Sequence, residues 1–412
     1  MSKRFISFYG DDFTGSTDVM EALAAHGIKT VLFTRIPTPE EFEPFKDYDA
    51  IGVAGSSRSQ SPQWMDENLP QVFAWLQSVD AQFCHYKICS TFDSSSEIGS
   101  IGRAIEIGLR TFKQPNVSMV VGAPQLKRYT FAGHLFAGYQ GQTYRIDRHP
   151  IMSKHPVTPM HESDLAKHLS YQTEQQVHLI DVHDENTQAA AGLELLALNE
   201  NARPFIVGSS GVEYALMKGL KKSRARFPSL PSVEKLLVIS GSVSSTTERQ
   251  IRFALKNGFA GIEVDIVALS RTNRNELQRV ITAACGILEQ GQSPLIYTAL
   301  GAATDKGQEL NSNTRQSLSR ALGDIAKHCI AQFRLKRLVI AGGDTSSHAL
   351  SQLNISALVT RFPLVQTPGS PLCTAFSSDP IFNGLEIAMK GGQVGGDDYF
   401  VSLKDGIDFA QS

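Results

Sequence analysis

Lys3 to Gly27 reads KRFISFYGDDFTGSTDVMEALAAHG, and the fold class turns on it. Arg4 to Tyr9 alternates and is rich in aromatic and β-branched residues, which predicts a core strand. Gly10 breaks the pattern. Thr14, Ser16 and Thr17 then offer caps for a helix whose apolar residues Val19, Met20, Leu23 and Ala24 recur at helical spacing. Asp11 and Asp12 therefore fall on a turn at the carboxyl end of a strand, where open α/β sheets bind ligands.

The same turn nearly spells a phosphate-binding loop. Gly10 and Gly15 have the G-x-x-x-x-G spacing, but Ser16 stands where the lysine belongs. Two carboxylates close to a triphosphate would each cost about a kcal/mol or more without an intervening cation. The turn suits a polyol or a metal-bridged group, with a carboxylate free to take a hydroxyl proton. The plainer alternative is a strand-to-helix turn that uses Asp as its capping chemistry.

Strand and helix keep alternating through the first half. KTVLFTR (Lys29–Arg35) and AIGVAG (Ala50–Gly55) read as strands, and Arg58 lies just past the second. A guanidinium there can pair bidentately with carboxylate or phosphate, although surface arginines are commoner. FCHYKICSTFDSSSEIGSIGRAIEIG (Phe83–Gly108) reads as strand, hydroxyl-rich turn and helix. Lys87 brings a positive charge toward the same crevice. Ser90, Thr91, Asp93, Ser94 and Ser95 suit a polyhydroxylated ligand, and Ser94 to Ser96 ahead of Glu97 also fits a capped helix start. Met119–Ala123 and Arg128–Gly138 read as further sheet material. His149, His155 and His161 recur every six residues, which matches no common metal-ligand spacing and predicts solvated or capping histidines.

The basic, proline-bearing stretch KKSRARFPSLPS (Lys221–Ser232) reads as a linker, dividing the chain into domains at 1–228 and 229–412. The second half offers three glycine turns. SGSVSSTTERQI supplies Gly241, Ser242 and Ser244 after a strand. AGGDTSS supplies Gly342, Gly343, Asp344 and Thr345 after another, where paired glycines let backbone amides approach an anion. KGGQVGGDDYF supplies Gly391, Gly392 and Gly395, a tight corner or a backbone wrapped around a ligand.

At 412 residues, two domains of about 200 are the natural division. Hydrophobic content of 42% with 19% charged residues describes a soluble globular chain. A net charge of −2 makes no electrostatic case for nucleic acid or anionic membrane as partner. No apolar run approaches the roughly 18 residues of a bilayer span. Five cysteines without a C-x-x-C pair argue against a disulfide framework or zinc site and for a reducing cytoplasm. No interface signature decides between a monomer and a homo-oligomer.

The first half thus suits a polar acid and the second a nucleotide. The expected architecture is α/β, two Rossmann-like domains with a ligand cleft between them. Phosphoryl transfer needs positioning and charge stabilisation more than covalent help, so a two-domain kinase fits both halves. A sensor that binds sugar acid or nucleotide without catalysis is the alternative, and it predicts tight binding with no ADP release. A nicotinamide dehydrogenase is weaker, since no G-x-G-x-x-G follows a predicted strand.

GDDFTGSTD, SGSVSSTTERQI, AGGDTSS and KGGQVGGDDYF together resemble the motifs of the four-carbon acid sugar kinase family, in order and nearly end to end. The resemblance implies an N-terminal sugar-acid domain, a C-terminal ATP domain and magnesium-ATP-dependent phosphorylation of a terminal hydroxyl on a tetronate-like acid. It implies that Asp12 with Asp11, Arg58 and the Lys87–Ser90 stretch bind the substrate. It likewise implies that Ser242, Gly342 to Thr345 and Gly392 or its neighbours bind ATP; the metal ligands are left unassigned. Many members read roughly K-x-D-S-T-L-R-G where this chain has KICSTFDSSSEIG. Cys89 replaces the acidic residue, and Ser94 or Ser95 the arginine. The variant resembles the branch found with RuBisCO-like enzymes, which adds a branched keto acid such as 3-oxo-isoapionate to the 3-oxo-tetronate candidates.

Overall fold

Ten strands form in the first half of the chain: β1 (Arg4–Gly10), β2 (Thr30–Phe33), β3 (Ala50–Ala54), β4 (Ala81–Lys87), β5 (Val117–Val120), β6 (Arg128–Phe131), β7 (His134–Tyr139), β8 (Gln142–Arg145), β9 (Val177–Leu179) and β10 (Phe205–Gly208). The computed structural model describes residues 4–198, 203–270, 274–301, 312–342, 350–364, 367–392 and 394–407. It divides into two units, Met1–Ala225 and Arg226–Ser412. In the first unit the strands lie in the order β2-β3-β1-β4-β10-β5-β9, every pairing parallel. β1 has β3 on one side and β4 on the other, so the chain's progress across the sheet reverses at β1. Such a reversal opens a crevice at the carboxyl ends of the strands.

β2 and β3 are buried throughout, as parallel strands covered on both faces should be. Beneath the carboxyl edge the rings of Tyr9 and Tyr86 stack at 6.0 Å, and Phe73 packs edge-on to both. This aromatic layer roots the last residues of β1 and β4. Arg128–Gly138 is sheet material, as its sequence predicts, but it lies outside the main sheet. β6, β7 and β8 form a separate antiparallel sheet, because two tight turns return the chain on itself before it can cross over.

The second unit holds β11 (Leu237–Ser240), β12 (Phe259–Glu263), β13 (Ser293–Tyr297), β14 (Arg337–Ala341), β15 (Ile355–Phe362), β16 (Leu372–Ser377) and β17 (Glu386–Lys390). Their order is β12-β13-β11-β14-β17-β16-β15. β12, β13, β11, β14 and β17 pair in parallel, while β16 and β15 add an antiparallel flank. Val238, Ile251, Leu295, Val339 and Phe400 are among its core residues. The helix Arg274–Glu289 lies between β12 and β13 in the chain.

Candidate functional site

The strands of the first unit end level with one another. Gly10 pairs with Ala54 and Lys87, Lys87 with Gly208, and Gly208 with Val120. The turns that follow these strands therefore leave the sheet along one line. Asp11 and Asp12 follow β1, the Arg58 turn follows β3, and Ile88 to Asp93 follows β4.

Arg58 joins the first two of these turns. Its Nε and Nη2 donate to the two oxygens of Asp11 at 3.1 and 2.7 Å, and its Nη1 donates to Asp12 Oδ2 at 2.8 Å. The backbone is tied as well: Arg58 N donates to Asp11 O, and Asp11 N to Lys87 O. Ser57 and Tyr86 share a hydrogen bond at 3.0 Å, which fixes the Arg58 turn to β4. The two aspartates are not equivalent. The Asp11 side chain keeps 6% of its exposure and that of Asp12 keeps 31%. Burial pushes the Asp11 carboxyl above the usual carboxylate range, against the pull of Arg58.

The helix after this turn begins at Phe13, ahead of the residues expected to cap it. Asp12 is the cap: its Oδ1 accepts from Gly15 N at 2.7 Å. Capping and site chemistry thus fall on the two oxygens of one carboxylate. Gly10 is needed because a Cβ there would lie 2.0 Å from Ser16 Oγ. Gly15 is needed because a Cβ would lie 2.5 Å from Asp12 Oδ1 and 2.8 Å from Lys87 Nζ. The lysine that the loop itself lacks therefore reaches the helix start from β4. Lys87 is buried and donates to Ile88 O at 2.9 Å.

The turn after β4 carries a chain of polar groups. Cys89 lies 2.8 Å from Thr91 Oγ1, and Thr91 donates to Asp93. Burial pushes the Cys89 thiol up to about 11, against the pull of Arg58 and Lys87. It is a neutral donor at ordinary pH. Ser90 sits half-buried on the same turn. Ser94 is held inward by Phe92 O, His168 and Gln172. Ser95 braces a turn by accepting from Glu97 N and Ile98 N. The expected helix start at Ser94–Ser96 is displaced to Ile101, capped by Ser100, because the hydroxyl turn takes up the intervening residues.

Three polar residues that no motif flagged lie under this floor. His85 and Glu213 are fully buried, with Nδ1 2.7 Å from Glu213 Oε1 and Nε2 3.1 Å from Gly208 O. Asp18 is buried too, and burial raises its pKa against the pull of Lys87. Their spacing in sequence carries no signal; β4, β10 and the helices that follow β1 and β10 bring them together. Two of the loop histidines act as caps, His149 Nδ1 accepting from Met152 N and His155 Nδ1 from Thr158 N, while His161 is exposed. Among the described residues no group of three or more His, Cys, Asp or Glu could hold a metal ion.

In the second unit Ser240, Ala341 and Lys390 are likewise level at strand ends. Ser244 caps the helix Ser245–Lys256, accepting from Thr247 N at 3.1 Å. Ser244 Oγ and Thr247 Oγ1 both contact Gly392 O, and Thr247 Oγ1 is 3.0 Å from Ser242 Oγ. Lys390 Nζ donates to Thr247 Oγ1 at 2.9 Å, and burial pulls that ammonium down to about 7. Gln250 holds Val394 O and Gly396 O on either side of Gly395, whose φ of +93° favours glycine. Gly391 follows Lys390 directly, and Gly342 N donates to Lys390 O. Gly343, Asp344 and Thr345 lie outside the described residues.

Residues 6–210 match the family model of a sugar-binding N-terminal domain, and 237–400 that of a nucleotide-binding C-terminal domain. The chain is 40% identical to a 3-oxo-isoapionate kinase of Paraburkholderia graminis, over 97% of this chain and 94% of that one. It is 28% identical to a 3-oxo-tetronate kinase of Cupriavidus necator, over 95% and 94%. A solved Haemophilus influenzae protein shares the fold with a TM-score of 0.70 at 22% identity, covering 97% of this chain and 99% of that one.

Proposed function

This chain belongs to the family of two-domain sugar-acid kinases, and from that premise we propose that it transfers the γ-phosphoryl group of magnesium-ATP to a terminal hydroxyl of a 3-oxo sugar acid, 3-oxo-isoapionate before 3-oxo-tetronate. The observation that carries the reading is the fork of Arg58 across Asp11 and Asp12 at the switch point of the first sheet. Asp11 is sealed and serves as an anchor. Asp12 is the reachable carboxylate: with Arg58 and Gly15 N fixing its oxygens, it orients the acceptor hydroxyl and takes its proton. Lys87 balances charge at the helix start, and Ser90 and Thr91 offer hydrogen bonds to the polyol. In the second unit Ser242, Ser244, Gly391, Gly392 and Gly395 cradle the nucleotide, joined by Gly342 to Thr345. Magnesium bound with the phosphates would supply the charge that offsets the transferring group. The neutral Cys89 spares an anionic substrate the repulsion that a carboxylate there would add, and the greater identity to the 3-oxo-isoapionate kinase supports the branched acid first. Five cysteines that form no disulfide suit a reducing cytoplasm.

The test is ADP release with magnesium-ATP over a panel of four-carbon acids, their 3-oxo forms and branched 3-oxo acids. Turnover is expected on a branched 3-oxo acid first. Asp12→Asn should lower kcat between about 100-fold and 10,000-fold, the range of general-base contributions. Full turnover by that variant would remove Asp12 from the chemistry, and tight acid binding without ADP release by the wild type would favour a sensor.

A further inference from the structure

A kinase for sugar acids must hold a carboxylate as well as a hydroxyl, and the cations so far described are occupied. Arg58 directs Nε, Nη1 and Nη2 at Asp11 and Asp12. Lys87 is buried against the helix start and donates to a backbone carbonyl. The turn that could have supplied another cation presents Ser94 and Ser95, both engaged in local bonds.

Arg128 supplies one from elsewhere. β5 ends at Val120, level with Lys87, and Ala123 beyond it bridges to Arg128 at the start of β6. The hairpin sheet thus begins at the same carboxyl edge. The guanidinium is anchored by one corner: Nη1 donates to Leu126 O at 3.0 Å and to Lys127 O at 3.2 Å. Its Nε is shut off from solvent and has no hydrogen-bond partner among the described residues. Cys89 and Asp93, on the hydroxyl turn, lie within reach of its charge, as does His149 on the other side. Burial already works against its charged form. A largely buried guanidinium held by neutral carbonyls, with an unmet N–H, lacks an anion. The side-on edge formed by Nε and Nη2 matches a carboxylate in two-point geometry.

We propose that Arg128 is the residue that recognises the substrate's carboxylate, and so sets the preference for acids over neutral polyols. Arg58 positions the catalytic aspartate; Arg128 grips the far end of the acceptor. The proposal rests on the sugar-acid kinase reading and adds to it a residue on the hairpin.

The experiment compares wild type, Arg128→Lys and Arg128→Ala on a 3-oxo sugar acid and on its primary amide, with ATP varied separately. Arg128→Ala should raise the KM for the acid about 100-fold, the loss expected when a two-point charged contact goes. Its KM for ATP should stay within about twofold, and its preference for acid over amide should collapse. Arg128→Lys should recover part of the preference, and added guanidinium should restore part of the Arg128→Ala loss. Retention of the full acid preference by Arg128→Ala overturns the proposal. If the wild type phosphorylates none of the acids, the kinase reading falls separately. Calorimetric titration of 3-oxo-isoapionate and 3-oxo-tetronate into wild type and Arg128→Ala then decides for Arg128, and equal affinity overturns it.

Discussion

Removing the Arg58 guanidinium, as in Arg58→Met, strips Asp11 of both its side-chain hydrogen bonds while leaving the residue 4% exposed. Breaking a buried ion pair from one side costs about 3–5 kcal/mol. Protonation sets a ceiling. An unpaired carboxyl with an ordinary pKa of about 3.9 can be neutralised at pH 7 for about 4 kcal/mol, at 1.36 kcal/mol per unit. The same ceiling at pH 5 is about 1.5 kcal/mol. The expected loss is therefore about 3–4 kcal/mol at pH 7 and at most about 1.5 at pH 5. The sign follows from which state binds the proton. With its partner gone, folded Asp11 holds a proton more tightly than unfolded Asp11, so the penalty is absent at low pH and grows as pH rises. Both tryptophans, Trp64 and Trp75, belong to the first unit, so urea unfolding followed by their fluorescence reports that unit. Asp11→Asn placed on Arg58→Met should recover at least about 2 kcal/mol at pH 7 by removing the uncompensated charge. Equal losses at pH 5 and pH 7, or no recovery in the double variant, would refute the argument.

Gly15→Ala should gain helix propensity yet lose turnover by at least about tenfold, because the new methyl displaces Asp12 Oδ1 and Lys87 Nζ. Its melting temperature should barely move, and steady-state kinetics beside a thermal melt separate the two effects. Ser244→Ala should cost about 1 kcal/mol through the lost cap and raise the KM for ATP, read by unfolding and by ATP titration. Lys390 binds its proton less tightly folded than unfolded, so its burial costs the fold stability, and that cost shrinks as pH rises above about 7. Wild type should therefore gain about 2 kcal/mol relative to Lys390→Met between pH 7 and pH 9, measured by urea titration at each pH. A flat difference would contradict the burial of its ammonium.

Much of this was legible because it is local. The opening strand, turn and helix follow from one alternating run, one glycine and one helical repeat. Placing Asp11 and Asp12 at a sheet edge needed nothing further. Cap positions were misjudged where several hydroxyls competed: Asp12, Ser100 and Ser244 cap helices for which later or earlier residues looked equally suitable. That the hairpin after β5 forms a sheet of its own is not legible, because alternation does not distinguish a two-sided sheet from a turned-back ribbon. The contacts that set the site's charge balance were out of reach for another reason. Lys87 beside Gly15, Glu213 against His85 and Arg128 toward Cys89 depend on strand register, which composition and spacing do not encode.

Each polar network closes within its own unit. The chain from Asp12 through Arg58 to the β4 turn uses residues of the first unit, and the chain from Lys390 through Thr247 to Gly392 uses residues of the second. In evolutionary terms the two are separately heritable. After gene duplication, a copy can drift at Cys89, Ser94 or Arg128 and acquire a taste for a new acceptor. The second network meanwhile stays under unchanged selection. A lineage built this way diversifies by retouching one hairpin and one turn, and its members should differ most where the first unit meets its ligand.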